Sequence, residues 1–188
     1  MKNCLIIFII IVLTVSCRQT FTPKPRGYFR IDFPEKTYQV FDSTCPFTFE
    51  YPQYGKIERD IDNNAEPCWI NISFPNYKSK IHLSYKKVSG SPVQYIEDSH
   101  NLAYKHAIKA DAIDELVVED PSRKVYGIIY DIRGNAASSV QFYLTDSIRN
   151  FLRGSLYFET PPNKDSLAPS VDYFRKDVER LINTLKWK

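Results

Sequence analysis

Glycine is scarce in this 188-residue chain, with 6 residues, as are histidine, with 3, and cysteine, with 4. Few glycines beside 13 tyrosines and 12 phenylalanines exclude a disordered chain and favour strands around a packed core. Neither sign of charge dominates. A formal net charge of +3 argues against a nucleic-acid binder, which would gather basic residues on one face. The longest apolar run, Leu5 to Val15, holds 11 residues, whereas a membrane-crossing helix needs about 20. The chain has no internal repeat and no low-complexity tract. It lacks Gly-x-Ser-x-Gly and Gly-x-x-x-x-Gly-Lys, so neither a nucleophile elbow nor a phosphate loop is encoded. Ser84 and His82 share a strand face near Asp98 in sequence, but without such an elbow they do not make a catalytic triad. His100 and His106 stand roughly 240° apart around a helix. With His82 on a strand, they do not converge as zinc ligands must. No cofactor is expected.

What the chain does have begins at its first residue. Lys2, the apolar run and the small residue Ser16 describe a secretory signal peptide over residues 1–16. Cys17 follows directly. This arrangement resembles the bacterial lipobox, with Thr14 where that motif has leucine, and it implies diacylglyceryl attachment at the Cys17 thiol. Each buried methylene contributes about 0.8 kcal/mol, and stable anchoring takes two or more chains, which a lipoprotein cysteine carries. Removing the signal takes away Lys2 and no acid, leaving +2. Residues 17–27, with Pro23 and Pro25, read as an extended lipidated tether. Some lipoproteins of this kind reach the cell surface through acidic residues just after the cysteine; Arg18-Gln19-Thr20-Phe21 has none, so the resemblance implies a periplasm-facing domain, on either the outer or the inner membrane.

Export moves the chain into an oxidising compartment. Cys4 leaves with the signal, and Cys45 and Cys68 remain. The even pair reads as a disulfide enclosing 22 residues, since a thiol metal site would want more ligands at close spacing.

Residues 28–188 read as a single α+β domain. Tyr28 to Pro34 alternates aromatic and charged residues, as an edge strand or a docking arm would. Strands are predicted at Phe47 to Tyr51, Trp69 to Phe74 and Ile81 to Tyr85, with an exposed loop over 55–67. Ser91, Pro92 and Gln94 open a helix reaching about Asp111, its apolar face rich in small residues. A short strand, Leu116 to Val118, precedes a meander of three: Lys124 to Arg133, Ser138 to Thr145, and Phe151 to Glu159. Pro161 to Pro169 reads as a loop. Ser170 then caps a last helix with Val171, Phe174, Val178, Leu181, Ile182 and Leu185 on one stripe. The expected architecture is an antiparallel sheet of six or seven strands flanked by two helices. It loosely resembles the Mog1/PsbP-like fold.

Arg133, Asn135, Asp146, Arg149 and Arg153 form a polar group assigned to strand ends and turns, where binding residues concentrate. The bland alternative is that Asn135 simply takes a turn conformation and the arginines are solvated. Tyr28, Phe29 and Arg30 are the other candidate contact residues, because aromatics and arginine are enriched at interfaces.

Several blocks carry a more specific likeness. They are Thr22 to Asp32, Pro67-Cys68-Trp69-Ile70-Asn71-Ile72, Ile81 to Lys86, Leu102 to His106, Gly134 to Ser139, Phe151 to Gly154, and Asp165-Ser166-Leu167-Ala168-Pro169. Together they resemble the gliding-motility lipoprotein GldD family of Bacteroidetes-type bacteria. The resemblance implies a lipid-anchored, non-catalytic envelope component needed for gliding and linked to type IX secretion. Its partners would be the membrane, through the N-terminal lipid, and other gliding or secretion machinery proteins; it supplies no catalytic residue. The alternative is a small-molecule or lipid-binding lipoprotein with an apolar cavity between sheet and helix.

Overall fold

Hydrophobic alternation with period two sets most of this architecture. In the computed structural model, which describes residues 30–188, it produces ten strands and two α-helices. β1 (Tyr38–Phe41), β2 (Phe47–Pro52) and the terminal β10 (Lys186–Trp187) form a three-stranded sheet in the order β1-β2-β10. The larger sheet holds β3 (Lys56–Arg59), β4 (Ile70–Phe74), β5 (Ser79–Lys87), β6 (Ala110–Asp120), β7 (Val125–Gly134), β8 (Ser138–Thr145) and β9 (Asn150–Phe158). Its order is β3-β4-β5-β9-β8-β7-β6, and every neighbouring pair is antiparallel. α1 (Val93–Tyr104) and α2 (Lys164–Thr184) pack on its two faces. The large sheet has seven strands, within the expected six or seven, and two helices flank it, but Phe47–Pro52, expected among its strands, lies in the small sheet.

The first face is the main core. Ile70, Leu83, Gly154, Phe142 and Ile129 stand opposite one another across five strands. Gly154 is required there, because a Cβ would sit 2.1 Å from the Phe142 ring. Phe174, Val178, Leu181, Ile182 and Leu185 of the predicted stripe close over this row, joined by Phe47 and Phe49 of β2. The second face carries Tyr130, Ile132, Tyr143 and Phe151 against α1, where Ser99 and Ala103 are buried. Small side chains at those two positions let helix and sheet approach closely.

Four expectations about element boundaries are corrected. The first helix ends at Tyr104, not near Asp111, and residues 110–120 instead form an eleven-residue edge strand. Ala107 and Ala110 suit a helix face, but pairing with β7 from Ala110↔Gly134 to Asp120↔Val125 wins, helped by the β-branched Ile113, Val117 and Val118. The last helix starts at Lys164, not after Ser170. Asn163 is its cap, accepting from the Ser166 N–H at 3.0 Å, and Pro169 sits within the second turn. Lys56–Arg59, inside the predicted loop, pairs with β4, although Ile57 is its one apolar residue. β1 is too short to show a period at all.

The chain enters the fold through a docked arm. Phe33 stacks on Tyr173 with ring centroids 4.1 Å apart, and the Tyr173 hydroxyl donates to the Pro34 carbonyl at 2.6 Å. Beside them the Asp177 carboxylate, 1% exposed, receives the Tyr54 hydroxyl at 2.6 Å and the Lys36 ammonium at 2.7 Å. Tyr38 donates to its other oxygen at 3.2 Å.

Candidate functional site

Two turns and a helix start build a concavity. β7 runs out at Gly134, whose φ of 112° belongs to the left-handed region. A Cβ at Gly134 would lie 2.6 Å from the Asp111 nitrogen and 2.9 Å from the Lys109 carbonyl, so backbone conformation and close approach both call for glycine. The next residue, Asn135, donates its N–H to the Lys109 carbonyl at 3.1 Å and accepts the Lys164 N–H on its side chain at 2.9 Å. Asn135 and Asn163 thereby serve two of the first-turn donors of α2. The Gly134–Asn135 turn and the Asp165–Pro169 stretch, distant in sequence, meet here.

Between them lies a groove of about 490 Å³ with Ile132, Ala136, Leu167 and Val171 in its lining. Its rim is charged, and the charges are matched across elements. Arg175 of α2 grips Asp131 of β7 with two hydrogen bonds, Nε at 2.8 Å and a terminal nitrogen at 2.6 Å. Those bonds, against the effect of burial, hold the Arg175 guanidinium above its usual value. Lys164 meets Asp111 at 2.6 Å, and Arg133 meets Asp114 at 2.6 Å, both pairs well exposed. Exposed pairs of this kind contribute about 0–1 kcal/mol each and exchange readily for a partner's charges.

The predicted polar group is split by the fold. Arg133 lines the groove and Asn135 braces it. Asp146 lies in the β8–β9 turn, where its carboxylate accepts the N–H groups of Ile148, Arg149 and Asn150 at 2.7–2.9 Å and the Asn150 side chain at 2.7 Å. Arg153 is a correction. It lies in the middle of β9, partly buried, not at a strand end. Arg30 is solvent-exposed and paired with Asp32 at 2.9 Å. Tyr28, Phe29 and Cys17 lie outside the described residues. Cys45 and Cys68 are joined in a disulfide with Cα atoms 5.6 Å apart. His82 packs edge-on against Tyr157, while Asp98 accepts from Gln94 along α1, so the three residues weighed as a triad are not brought together. Among the described residues, no three or more His, Cys, Asp or Glu side chains are placed to hold a metal ion.

Asp111, Asp131, Lys164 and Arg175 were not legible as groove residues. Asp131 and Lys164 adjoin the Gly134 and Asp165 blocks in sequence, whereas Asp111 and Arg175 carry no such signal.

The Asp146 turn yields a pH expectation. Burial works to raise that carboxyl, but the N–H groups of Asn150, Arg149 and Ile148 outweigh it and hold the carboxyl below its ordinary value. A carboxyl lowered on folding stabilises above the unfolded-state value near 4, and that contribution is lost as pH falls through the lower folded value. Asp146→Ala should therefore cost about 1–2 kcal/mol at pH 7. The difference from the parent should shrink below about pH 4 in urea unfolding measured across pH.

Comparison with known proteins agrees with this architecture. The solution structure of cyanobacterial PsbP (CyanoP) from Synechocystis sp. PCC 6803 is similar with a TM-score of 0.52 and 8% sequence identity, over 82% of this chain and 95% of that one. At that identity the likeness speaks for the fold alone, and it supports the PsbP-like description. No curated protein matches the chain. Among the described residues, no helix is long and apolar enough to cross a membrane. The family described as gliding motility lipoprotein GldD matches residues 18–187, and the chain belongs to that family.

Proposed function

We propose that this lipoprotein is a non-catalytic docking component of the gliding apparatus, linked to type IX secretion. It is held to the membrane by lipid on Cys17, faces the periplasm, and binds or stabilises other machinery proteins. The observation that carries this reading is the groove. Two separate sequence blocks of the family likeness, at Gly134 and Asp165, converge on one concave surface with a charged rim, where Arg175–Asp131 is a partly buried pair and Arg133–Asp114 and Lys164–Asp111 are exposed ones. The Tyr28-Phe29-Arg30 segment, close to the tether, is a second contact.

A photo-crosslinking residue at the groove position Ser139 should capture a discrete envelope protein in cells. The same residue at Ile148, exposed on the β8–β9 turn, should not. Capture from both positions alike, or from neither, would remove the groove from the account. Cys17→Ala should abolish gliding while leaving the circular dichroism spectrum unchanged, and normal gliding by that variant would end the anchoring role.

A second reading rests on the groove volume, which lies in the range of small-molecule sites. Its charged rim suits a polar group and its apolar floor of Ile132, Leu167 and Val171 an apolar one.

A further inference from the structure

The second face of the large sheet is divided in two. Near β7 it is apolar and covered by α1. From β4 across to β8 it carries polar side chains in cross-strand register: Asn71 opposite His82, His82 opposite Ser155, and Ser155 opposite Gln141, which meets Tyr130 of β7 at the border of the apolar half. In the adjacent row Ser84 faces Arg153, and Arg153 faces Tyr143. Gln141 is 1% exposed, yet its side-chain nitrogen has no hydrogen-bond partner, and the same holds for the Asn71 oxygen and the Tyr130 hydroxyl. An unsatisfied buried polar atom costs about 1–3 kcal/mol, so several in one patch call for a reason.

Arg153 supplies one. It donates to the Gln141 side-chain oxygen, which leaves the amide nitrogen as the unpartnered end of that side chain. Among the described residues Arg153 has no carboxylate partner, although the other cations of this face do. Lys80 is paired with Glu159, and Lys86 with Glu66. Burial pushes the Arg153 guanidinium down from its usual value, with only the Tyr157 phenol acting against it. The imidazoles that face the patch, His82 and His106, are likewise pushed down by burial, so both are neutral near pH 7. The patch therefore has one unmatched positive charge, free N–H donors on Arg153 and Gln141, and the hydroxyls of Ser84, Ser155 and Tyr157 nearby.

We propose that this polar half of the sheet face binds a carboxylate, held by the Arg153 guanidinium and the Gln141 amide. One planar monoanion matches the single unmatched charge and the fork of the guanidinium. A phosphate dianion would need a second cation, and the two lysines are already engaged. The site is separate from the groove and does not depend on it.

The full chain in detergent, labelled with ¹⁵N, should show saturable shifts at the Arg153 Nε–H and Gln141 side-chain NH₂ signals on titration with propionate, a monoanion. Sodium chloride of equal ionic strength should not produce them. A peptide with blocked ends and a single glutamate forms the second arm. Tighter binding of the peptide assigns the carboxylate to a protein partner, and tighter binding of propionate assigns it to a free acid; either supports the site. Gln141→Glu places a carboxylate of nearly the same shape beside Arg153. It should weaken both probes about tenfold or more and raise the melting temperature. Arg153→Gln should weaken them to the same degree, with near-ultraviolet circular dichroism confirming that both variants are folded. Undiminished binding by folded Gln141→Glu would overturn the proposal. So would phosphate binding as tight as either probe, or no saturable shift at all.

Discussion

Asp177→Ala should lose about 3–5 kcal/mol of stability, because it removes one partner of a buried ion pair and leaves the other behind. The Asp177 carboxylate is closed off from solvent, and Lys36 is mostly so, with 23% of its side chain exposed. Burial pushes the acid up and the ammonium down, and each group works against that effect on the other. With Asp177 gone, Lys36 keeps the Tyr54 hydroxyl at 2.8 Å, the Tyr173 carbonyl at 2.9 Å and the Tyr173 ring at 3.4 Å. None of these carries the opposing charge. Tyr54 and Tyr38 lose their acceptor as well. Lys36→Met should cost a similar amount for the converse reason. Replacing both at once, Lys36→Met with Asp177→Leu, should recover most of the loss, since a well-packed apolar pair can substitute for a buried ionic one. Urea unfolding of the four proteins checks this. A double variant as unstable as the two single losses combined would show that the pair acts independently, and the account of it as one clasp would fail.

The location of this clasp gives it a functional consequence. Lys36 follows directly on the docked segment at Phe33 and Pro34, and Tyr173 and Asp177 lie one turn apart on α2. Loosening it frees the stretch through which the chain enters the domain. Asp177 variants should therefore impair gliding at temperatures where the rest of the fold survives.

None of this network was legible in the sequence. Lys36 and Asp177 are separated by most of the chain, and a lone aspartate in an amphipathic helix reads as a solvated residue. What could be read was whatever repeats locally. The alternations at Ile70, Ile72, Phe74 and at Ile81, Leu83, Tyr85 gave two strands and their buried faces, because period two is written in consecutive residues. The stripe from Phe174 to Leu185 gave the buried side of α2 for the same reason. Local signals misled where a tertiary partner outvoted them. Pro169 looks like a stop, but Asn163 nucleates the helix ahead of it. Ile57 is the one apolar residue of β3, which exists because β4 offers it a ladder. The candidate site follows the same division. Gly134-Asn135 stands out as a turn signal, whereas its meeting with Lys164 and the grip of Arg175 on Asp131 depend on the crossing of α2 over the sheet. Arg153 was legible as an interesting arginine, but its placement in mid-strand beside Gln141 required the register of β8 and β9.

Removing the Cys45–Cys68 bridge, through Cys45→Ala with Cys68→Ala, should cost about 3 kcal/mol by the chain-entropy account of a loop this long. The bridge does more than close a loop. Cys45 precedes Phe47 at the head of β2 in the small sheet, and Cys68 precedes Ile70 at the head of β4 in the large one. It therefore fastens the two sheets on either side of the shared core, where Cys45 is 6% exposed among the buried residues. Without it, the small sheet is held by the packing of Phe47 and Phe49 and by the short pairing of β10 with β2. The first structure to loosen should be that sheet, and α2 should follow because it packs on β2. The parent protein under dithiothreitol should show the same drop in urea midpoint as the double variant. The dependence of free energy on urea should steepen in both, because an uncrosslinked chain exposes more surface when unfolded. A midpoint indifferent to the reductant would mean that the two sheets hold together by packing alone and that oxidation on export adds nothing to the fold.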